Sequence, residues 1–255
     1  MKLKFGVSGS SGFIGKTLVH YLDQLQHEVI RIGRNGILIE PVDYVIDLGA
    51  YGNLYEQTDI YEMYKANVLK TINLFGSKFR GMVYVSTSSV ALPKQTFYAA
   101  SKNACEDLIK LYVEKFGTPC VIARPYTVIG IGEHKCHFIP TLIKNIFYSG
   151  RMQFVPEPVH DYIDVSDVAS ALVLLAQEAG NHKGKIFEIG NGVQYTNQEI
   201  KEIVEKNMAL VCKSKAKIEI VESLREYDTH KWVANSQPLL KLGWKPKKNI
   251  EDSIK

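Results

Sequence analysis

The chain has 255 residues, a formal net charge of +4, 45% hydrophobic and 23% charged residues. That suits a globular protein with one large domain, or a domain carrying a smaller lobe. The charge comes from scattered lysines (Lys241, Lys245, Lys247 and Lys248 among them) rather than a dense basic stripe interleaved with aromatics, which argues against a nucleic-acid binder.

No apolar run approaches the roughly 20 residues of a membrane span, and the opening MKLKFGVSGSSG has no apolar leader core. No membrane association is expected. Cys105, Cys120, Cys136 and Cys212 form no CxxC pair, so free thiols and a cytoplasmic location are expected. In chain order, Leu3–Ser8 is a short apolar run ending in a glycine-rich turn, and Phe13–Leu25 has helical periodicity. Glu28–Ile32 and Val42–Leu48 read as the next strands, Asn53–Phe79 as a helix broken near its start, and Met82–Ser86 as the fourth strand. Thr96–Phe116 is a long helix closed by Gly117 and Pro119, followed by a fifth strand at Cys120–Ala123. This alternation predicts an α/β fold, a doubly wound parallel sheet (Rossmann fold), over residues 1–130.

Beyond Gly130 the rhythm loosens. Helices are predicted at Phe138–Tyr148, Val165–Gln177 and Thr196–Asn207, strands at Lys185–Ile189 and Ala216–Val221, and an extended stretch at Phe154–Pro158. Thr196 and Glu199 have the spacing of a capping box. Residues 131–255 are expected to form mainly a small C-terminal α/β substrate lobe, with part of the chain returning to the sheet. His134, Cys136 and His137 are metal-ligand types, but zinc needs three or four converging ligands. They read as a polar loop, and no metal is expected.

Two sequence patterns carry chemistry. The first is Gly9-Ser10-Ser11-Gly12-Phe13-Ile14-Gly15, between an apolar strand and an amphipathic helix. Gly9 permits the tight turn, Gly12 lets the backbone approach a pyrophosphate, and Gly15 lets helix and strand pack closely. The helix N-terminus offers N–H groups and partial positive charge to phosphates. An NAD site usually has an acid at the end of the second strand. Here Arg31 and Arg34 stand there, and a guanidinium pairs with phosphate. NADP is therefore favoured, with Arg34 as the 2′-phosphate ligand and Arg31 or Ser10 as helpers; NAD is the alternative. The second pattern is Tyr-x-x-x-Lys, which places both side chains on one helix face. A lysine ammonium stabilises tyrosinate, so the pair can move a proton. The pattern occurs at Tyr61/Lys65, Tyr98/Lys102 and Tyr227/Lys231. Only Tyr98/Lys102 opens a helix directly after a central strand, whose end carries Ser86, Thr87, Ser88 and Ser89, so it is the candidate catalytic pair.

Taken with these, Val45-Ile-Asp47-Leu-Gly-Ala, Asn67-Val-Leu-Lys-Thr-Ile-Asn73, Arg124-Pro125, Asp161-Tyr-Ile-Asp-Val-Ser-Asp167, Arg225-Glu-Tyr-Asp228 and Leu242-Gly-Trp-Lys-Pro246 resemble, almost end to end, an extended short-chain dehydrogenase/reductase of the NAD(P)-dependent epimerase/dehydratase type that modifies nucleotide sugars. The resemblance implies that Thr87, with Ser88 as competitor, binds the reacting oxygen. Tyr98 would be the general acid/base and Lys102 its tuner. It also implies cofactor contacts from Asp47, Leu48, Asn67, Ser86, Lys102 and Pro125, and substrate contacts from Ser88, Thr127, His160, Arg225 and Asp228. It further implies a homodimer built through the helices predicted at Asn53–Phe79 and Thr96–Phe116. Three departures stand out. The stretch from Arg34 to Val42 is short, the loop between Thr87 and Tyr98 is short, and Ser88-Ser89 stands where a dehydratase carries Asp-Glu. The reading is an NADP-dependent oxidoreductase that reduces a keto group of a nucleotide-linked deoxysugar. The alternatives are an NAD-dependent nucleotide-sugar epimerase and a non-catalytic NADP-binding sensor.

Overall fold

A computed structural model describes residues 1–54, 56–222 and 228–254. Six parallel strands form the main sheet: β1 (Lys4–Ser8), β2 (Glu28–Ile32), β3 (Tyr44–Asp47), β4 (Gly81–Val85), β5 (Cys120–Pro125) and, far along the chain, β9 (Ile186–Ile189). Their spatial order is β2-β1-β3-β4-β5-β9. The strands are apolar on both faces because helices cover both. Val83, Val85, Val121, Ala123 and Ile46 pack on one face against Leu18 and Leu22 of α1 (Phe13–Gln24) and Val168, Leu172 and Leu175 of α6 (Val165–Glu178). Val45, Met82, Tyr84, Cys120 and Ile122 pack on the other. There they meet Val68, Leu74 of α3 (Lys70–Leu74), and Cys105 and Ile109 of α4 (Phe97–Phe116). Each fully buried Val or Leu contributes about 1.5–3 kcal/mol, so this double-sided packing is the main source of stability.

The helix expected over Asn53–Phe79 is shorter. It begins at α2 (Ile60–Tyr64), where the Asp59 side chain accepts from the Glu62 N–H at 3.1 Å and caps it. A π-turn at Lys65–Leu69 joins it to α3, and regular structure stops at Leu74. The π-turn is the place where an extra residue is accommodated, a feature found often at functional sites.

Residues beyond 130 divide between two places. α6, β9, and Leu239 of α8 (Gln237–Leu240) with Trp244 join the main core. The remainder builds a separate cluster. In it Ile139, Leu142 and Ile146 of α5 (Phe138–Phe147) pack with Ile200 and Val204 of α7 (Asn197–Met208) and Ile250 of α9 (Ile250–Ile254). Two small sheets flank that cluster. One has the order β10-β8-β6, from β6 (Thr127–Ile129), β8 (Val159–Asp164) and β10 (Gln194–Thr196). The other pairs β7 (Arg151–Phe154) with β11 (Lys217–Ile220), so pairing ends at Phe154, where the extended stretch was expected to start. The Thr196/Glu199 capping box is present: Thr196 Oγ1 accepts from the Glu199 N–H at 3.1 Å and Glu199 accepts from the Thr196 N–H at 2.7 Å. All four cysteines are free. Among the described residues no helix is long and apolar enough to cross a membrane.

Candidate active site

The strand order reverses beside β1, with β2 on one side and β3 on the other. Such a switch opens a crevice at the carboxyl ends of the strands. Its walls here are the Gly9 turn and the Leu48–Gly49 segment. Gly9 has φ 64°, and a Cβ there would lie 2.7 Å from the Gly49 nitrogen. A Cβ on Gly15 would lie 2.1 Å from the Gly9 carbonyl oxygen, so helix and turn could not close on each other. Gly12 precedes α1 with extended backbone and no side-chain cap. The first-turn N–H groups, with the positive end of the helix dipole, are thereby left to an anion. Ser10 is nearly buried, Ser11 exposed, and Phe13 and Ile14 half-buried along this rim. Arg31 and Arg34 are exposed around the end of β2.

The second half of the site stands on α4. Thr96 caps it, accepting from the Ala99 N–H at 3.2 Å, and so fixes the first turn that carries Tyr98. Lys102 follows one turn later and is 1% exposed. Its ammonium lies 4.2 Å from the centroid of the Tyr84 ring and has no hydrogen-bond partner. An unpartnered buried cation is costly, and a ribose hydroxyl is the type of group that would satisfy it. Together with the glycine turn and the uncapped helix, this fits a dinucleotide. Burial pushes the Tyr98 phenol up to about 12. Burial, then the nearby Lys70 charge, brings Lys102 down to about 8. Tyr61, by contrast, is exposed, and Lys65 bonds Glu62 at 3.1 Å. Tyr227 lies outside the described residues.

Three of the expected cofactor contacts have side chains engaged within the protein. Asp47 is fully buried, and its carboxylate is taken up by Ser8, by Thr71 at 2.6 Å and by Lys70 at 2.5 Å. Burial alone would raise its pKa, but the Lys70 charge and these hydrogen bonds hold the carboxyl below the usual range. Asn67 is also fully buried. Its amide donates to Tyr51 O at 2.8 Å and Ser101 Oγ at 2.9 Å, and accepts from the Tyr51 N–H at 2.9 Å. It has become a bracket between the loop after β3 and α4, where Ser101 in turn donates to Tyr98 O at 2.8 Å. The Ser86 hydroxyl donates to Glu106 at 2.5 Å. That leaves these three side chains committed within the protein. Leu48 is half-buried and Pro125 buried at the ends of β3 and β5, on the crevice side of the sheet.

Sequence reasoning missed Lys70 and Glu106. Glu106 is fully buried one turn beyond Lys102 and receives Arg124 through two contacts, Nε at 2.9 Å and Nη2 at 2.6 Å. The spacing of residues 98, 102 and 106 on one helix face was a usable signal.

On the substrate side, Thr87 is half-buried; its hydroxyl accepts from the Ser89 N–H and donates to Ser89 Oγ, both at 3.2 Å. Ser88 is buried in the short 3₁₀ turn that follows. Thr127 meets His160 Nδ1 at 3.1 Å, and the His160 ring lies 4.9 Å from that of Trp232, so β6 and β8 bring two expected residues together. Asp228 is half-buried, and Arg225 lies outside the described residues. His134 Nδ1 lies 2.8 Å from Cys136 Sγ, and His137 bonds Glu133 at 3.1 Å. Among the described residues no group of three or more His, Cys, Asp or Glu converges as a metal site.

The crevice and the helix beside it define a dinucleotide-dependent α/β enzyme. A family model described as "NAD dependent epimerase/dehydratase family" matches residues 6–190. The chain therefore belongs to that family, whose members are NAD(P)-dependent. A CDP-abequose synthase of Salmonella muenchen is 25% identical over 99% of this chain and 96% of its own length. A GDP-6-deoxy-D-mannose reductase of Pseudomonas aeruginosa is 27% identical over 100% of this chain and 96% of its own. The solved structure of RMD from Pseudomonas aeruginosa complexed with NADPH superposes with a TM-score of 0.83 at 23% identity, covering 99% and 96% of the two chains.

Proposed function

We propose that the protein is an NADPH-dependent reductase of a keto group on a nucleotide-linked deoxysugar. The observation that carries the cofactor choice is the end of β2, where Arg31 and Arg34 are exposed and residues 29–36 include no carboxylate. A guanidinium there suits a 2′-phosphate and repays none of the 2′-hydroxyl's donor capacity. The crevice would hold NADPH, whose chemistry when bound would be hydride supply to the carbonyl carbon. Tyr98 gives its phenolic proton to the carbonyl oxygen as that oxygen gains the electron pair, and Lys102 stabilises the tyrosinate left behind. Thr87 donates a hydrogen bond to the same oxygen. Held near 12, the Tyr98 phenol stays protonated at neutral pH, which is the state a reduction consumes. Ser88 and Ser89 offer no carboxylate to expel water, which argues against dehydration. A relative aligned along the whole chain is named a GDP-6-deoxy-D-mannose reductase, which supports the substrate class. Thr127, His160, Arg225 and Asp228 are the residues assigned to the sugar nucleotide.

The test is NADPH oxidation with 4-keto-6-deoxy nucleotide sugars. Arg34→Ala should weaken NADPH about 10- to 100-fold, for the loss of a bond to a charged group worth about 1.5–3 kcal/mol, and leave NADH little changed. An unaltered preference would sink the assignment of Arg34. NAD that stays bound through gel filtration and is released on denaturation would turn the reading to an epimerase.

The same reading makes the protein a homodimer. Tyr61, Leu69, Leu111 and Phe116 are exposed apolar side chains on α2, the π-turn and α4, which a second copy would remove from water. Sedimentation equilibrium should return twice the chain mass; a monomer at micromolar concentration refutes it.

A further inference from the structure

A buried ion pair that the proposed chemistry does not use lies directly behind the crevice. Lys70 is 3% exposed and Asp47 fully buried, and they meet at 2.5 Å. Lys70 also donates to the Gly49 carbonyl, and its ammonium lies 3.4 Å from Ser8 Oγ. Ser8, the last residue of β1, gives its hydroxyl proton to Asp47 and accepts from the Gly49 N–H at 2.8 Å. Thr71 supplies the second carboxylate oxygen with a proton at 2.6 Å. The three ammonium protons have three acceptors, and three donors already meet the oxygens of the fully buried carboxylate, so both charges are engaged within the protein.

The network ties three things at one point: the end of β1 just before the glycine turn, the end of β3, and α3. Gly49 is held at both its N–H and its C=O. Gly49 is also the residue a side chain at Gly9 would strike, at 2.7 Å. The spacing between the two crevice walls is therefore set by this pair. Apolar residues of similar volume could fill the space without desolvating two charges, and such swaps are often neutral or stabilising. What they could not supply is a two-ended grip on a glycine backbone.

We propose that Asp47 and Lys70 are positioning residues for the dinucleotide: they hold the Leu48–Gly49 segment against the Gly9 turn at the separation the cofactor's diphosphate half requires. The inference rests on the reading of the crevice as the dinucleotide site. Lys70→Met, Asp47→Asn and the milder Ser8→Ala, which keeps the ion pair but frees the Gly49 N–H, test it together. Each variant would be titrated at 15 °C, after circular dichroism has shown it folded, with NADPH and with 2′-phospho-ADP-ribose, which lacks the nicotinamide.

Both ligands are expected to bind about tenfold more weakly to each folded variant, as for a wall displaced by a fraction of an ångström, and by the same factor for the two ligands. The double variant Asp47→Asn/Lys70→Met should regain melting temperature without regaining affinity. That separation is one a purely structural role would not produce. A folded Ser8→Ala and a folded double variant that both bind within twofold of the parent overturn the proposal. If the parent protein itself binds neither NADPH nor 2′-phospho-ADP-ribose, the crevice reading fails first and takes this one with it.

Discussion

Tyr98→Phe is expected to lower turnover about 10²- to 10⁴-fold, the usual contribution of a positioned proton donor, while NADPH affinity stays within about twofold because the substitution removes one oxygen and keeps the ring. The phenol is the proton source on the helix that follows the central strand, and Thr87, already engaged with Ser89, donates a hydrogen bond but does not ionise. Steady-state NADPH oxidation and a fluorescence titration of NADPH separate the two effects. Retained turnover would remove Tyr98 from the chemistry. The pH dependence has a defined sign. The phenol is protonated up to about 12, so it does not limit the reaction near neutrality. Lys102 is cationic below about 8 and loses its charge above it. The parent rate should be level on the acid side of pH 8 and fall on the alkaline side, whereas a rate rising through pH 8 would contradict the role given to Lys102.

Glu106→Ala is expected to destabilise the fold by about 3–5 kcal/mol, the range for removing one partner of a buried pair. The cause is specific. Arg124, 16% exposed at its side chain, would keep its charge and lose both carboxylate contacts, and the Ser86 hydroxyl would lose its acceptor. The substitution also leaves a cavity between α4 and β5. Glu106→Gln preserves shape and one acceptor oxygen, so it should cost markedly less. Urea denaturation with both variants gives the comparison. Equal losses would mean that volume, not the ion pair, sets the stability here. Because Ser86 directly precedes Thr87, Glu106→Gln should also lower turnover more than it lowers NADPH affinity.

Much of the main sheet was legible because its signals are local. The apolar runs of β1, β4 and β5, the glycines at 9, 12 and 15, and the helix stop at Gly117, which has φ 63°, each depend on a few adjacent residues. β8 gave no such signal. Its sequence Val159-His-Asp-Tyr-Ile-Asp164 places two acids among apolar residues, Asp161 satisfied by distant partners and Asp164 by Ser166, which caps the next helix, and by a distant lysine. Asp161 accepts backbone N–H groups from Asn191, Gly192 and Ala234, and Asp164 meets Lys248 at 3.2 Å. The start of the second helix was misplaced for a related reason: Asp59 as a cap competes with equally good-looking residues upstream, and the preceding loop is fixed by the bracket from Asn67 to Tyr51 and by Gln57, which accepts from the Gly52 N–H.

The sequence by itself determined the alternation of strand and helix, the glycine turn before the first helix, and the spacing of Tyr98 and Lys102 one helical turn apart, since each is written in neighbouring residues whose backbone geometry is nearly fixed. Only the tertiary structure decided which polar side chains face the crevice and which hold it up. Asp47, Asn67 and Ser86 sit in motifs that suggest contact with a ligand, and their side chains are bonded to Lys70, Tyr51, Ser101 and Glu106. A buried polar atom must be satisfied by whatever the fold brings within about 3 Å, and here those side-chain partners lie 16 to 39 positions away along the chain.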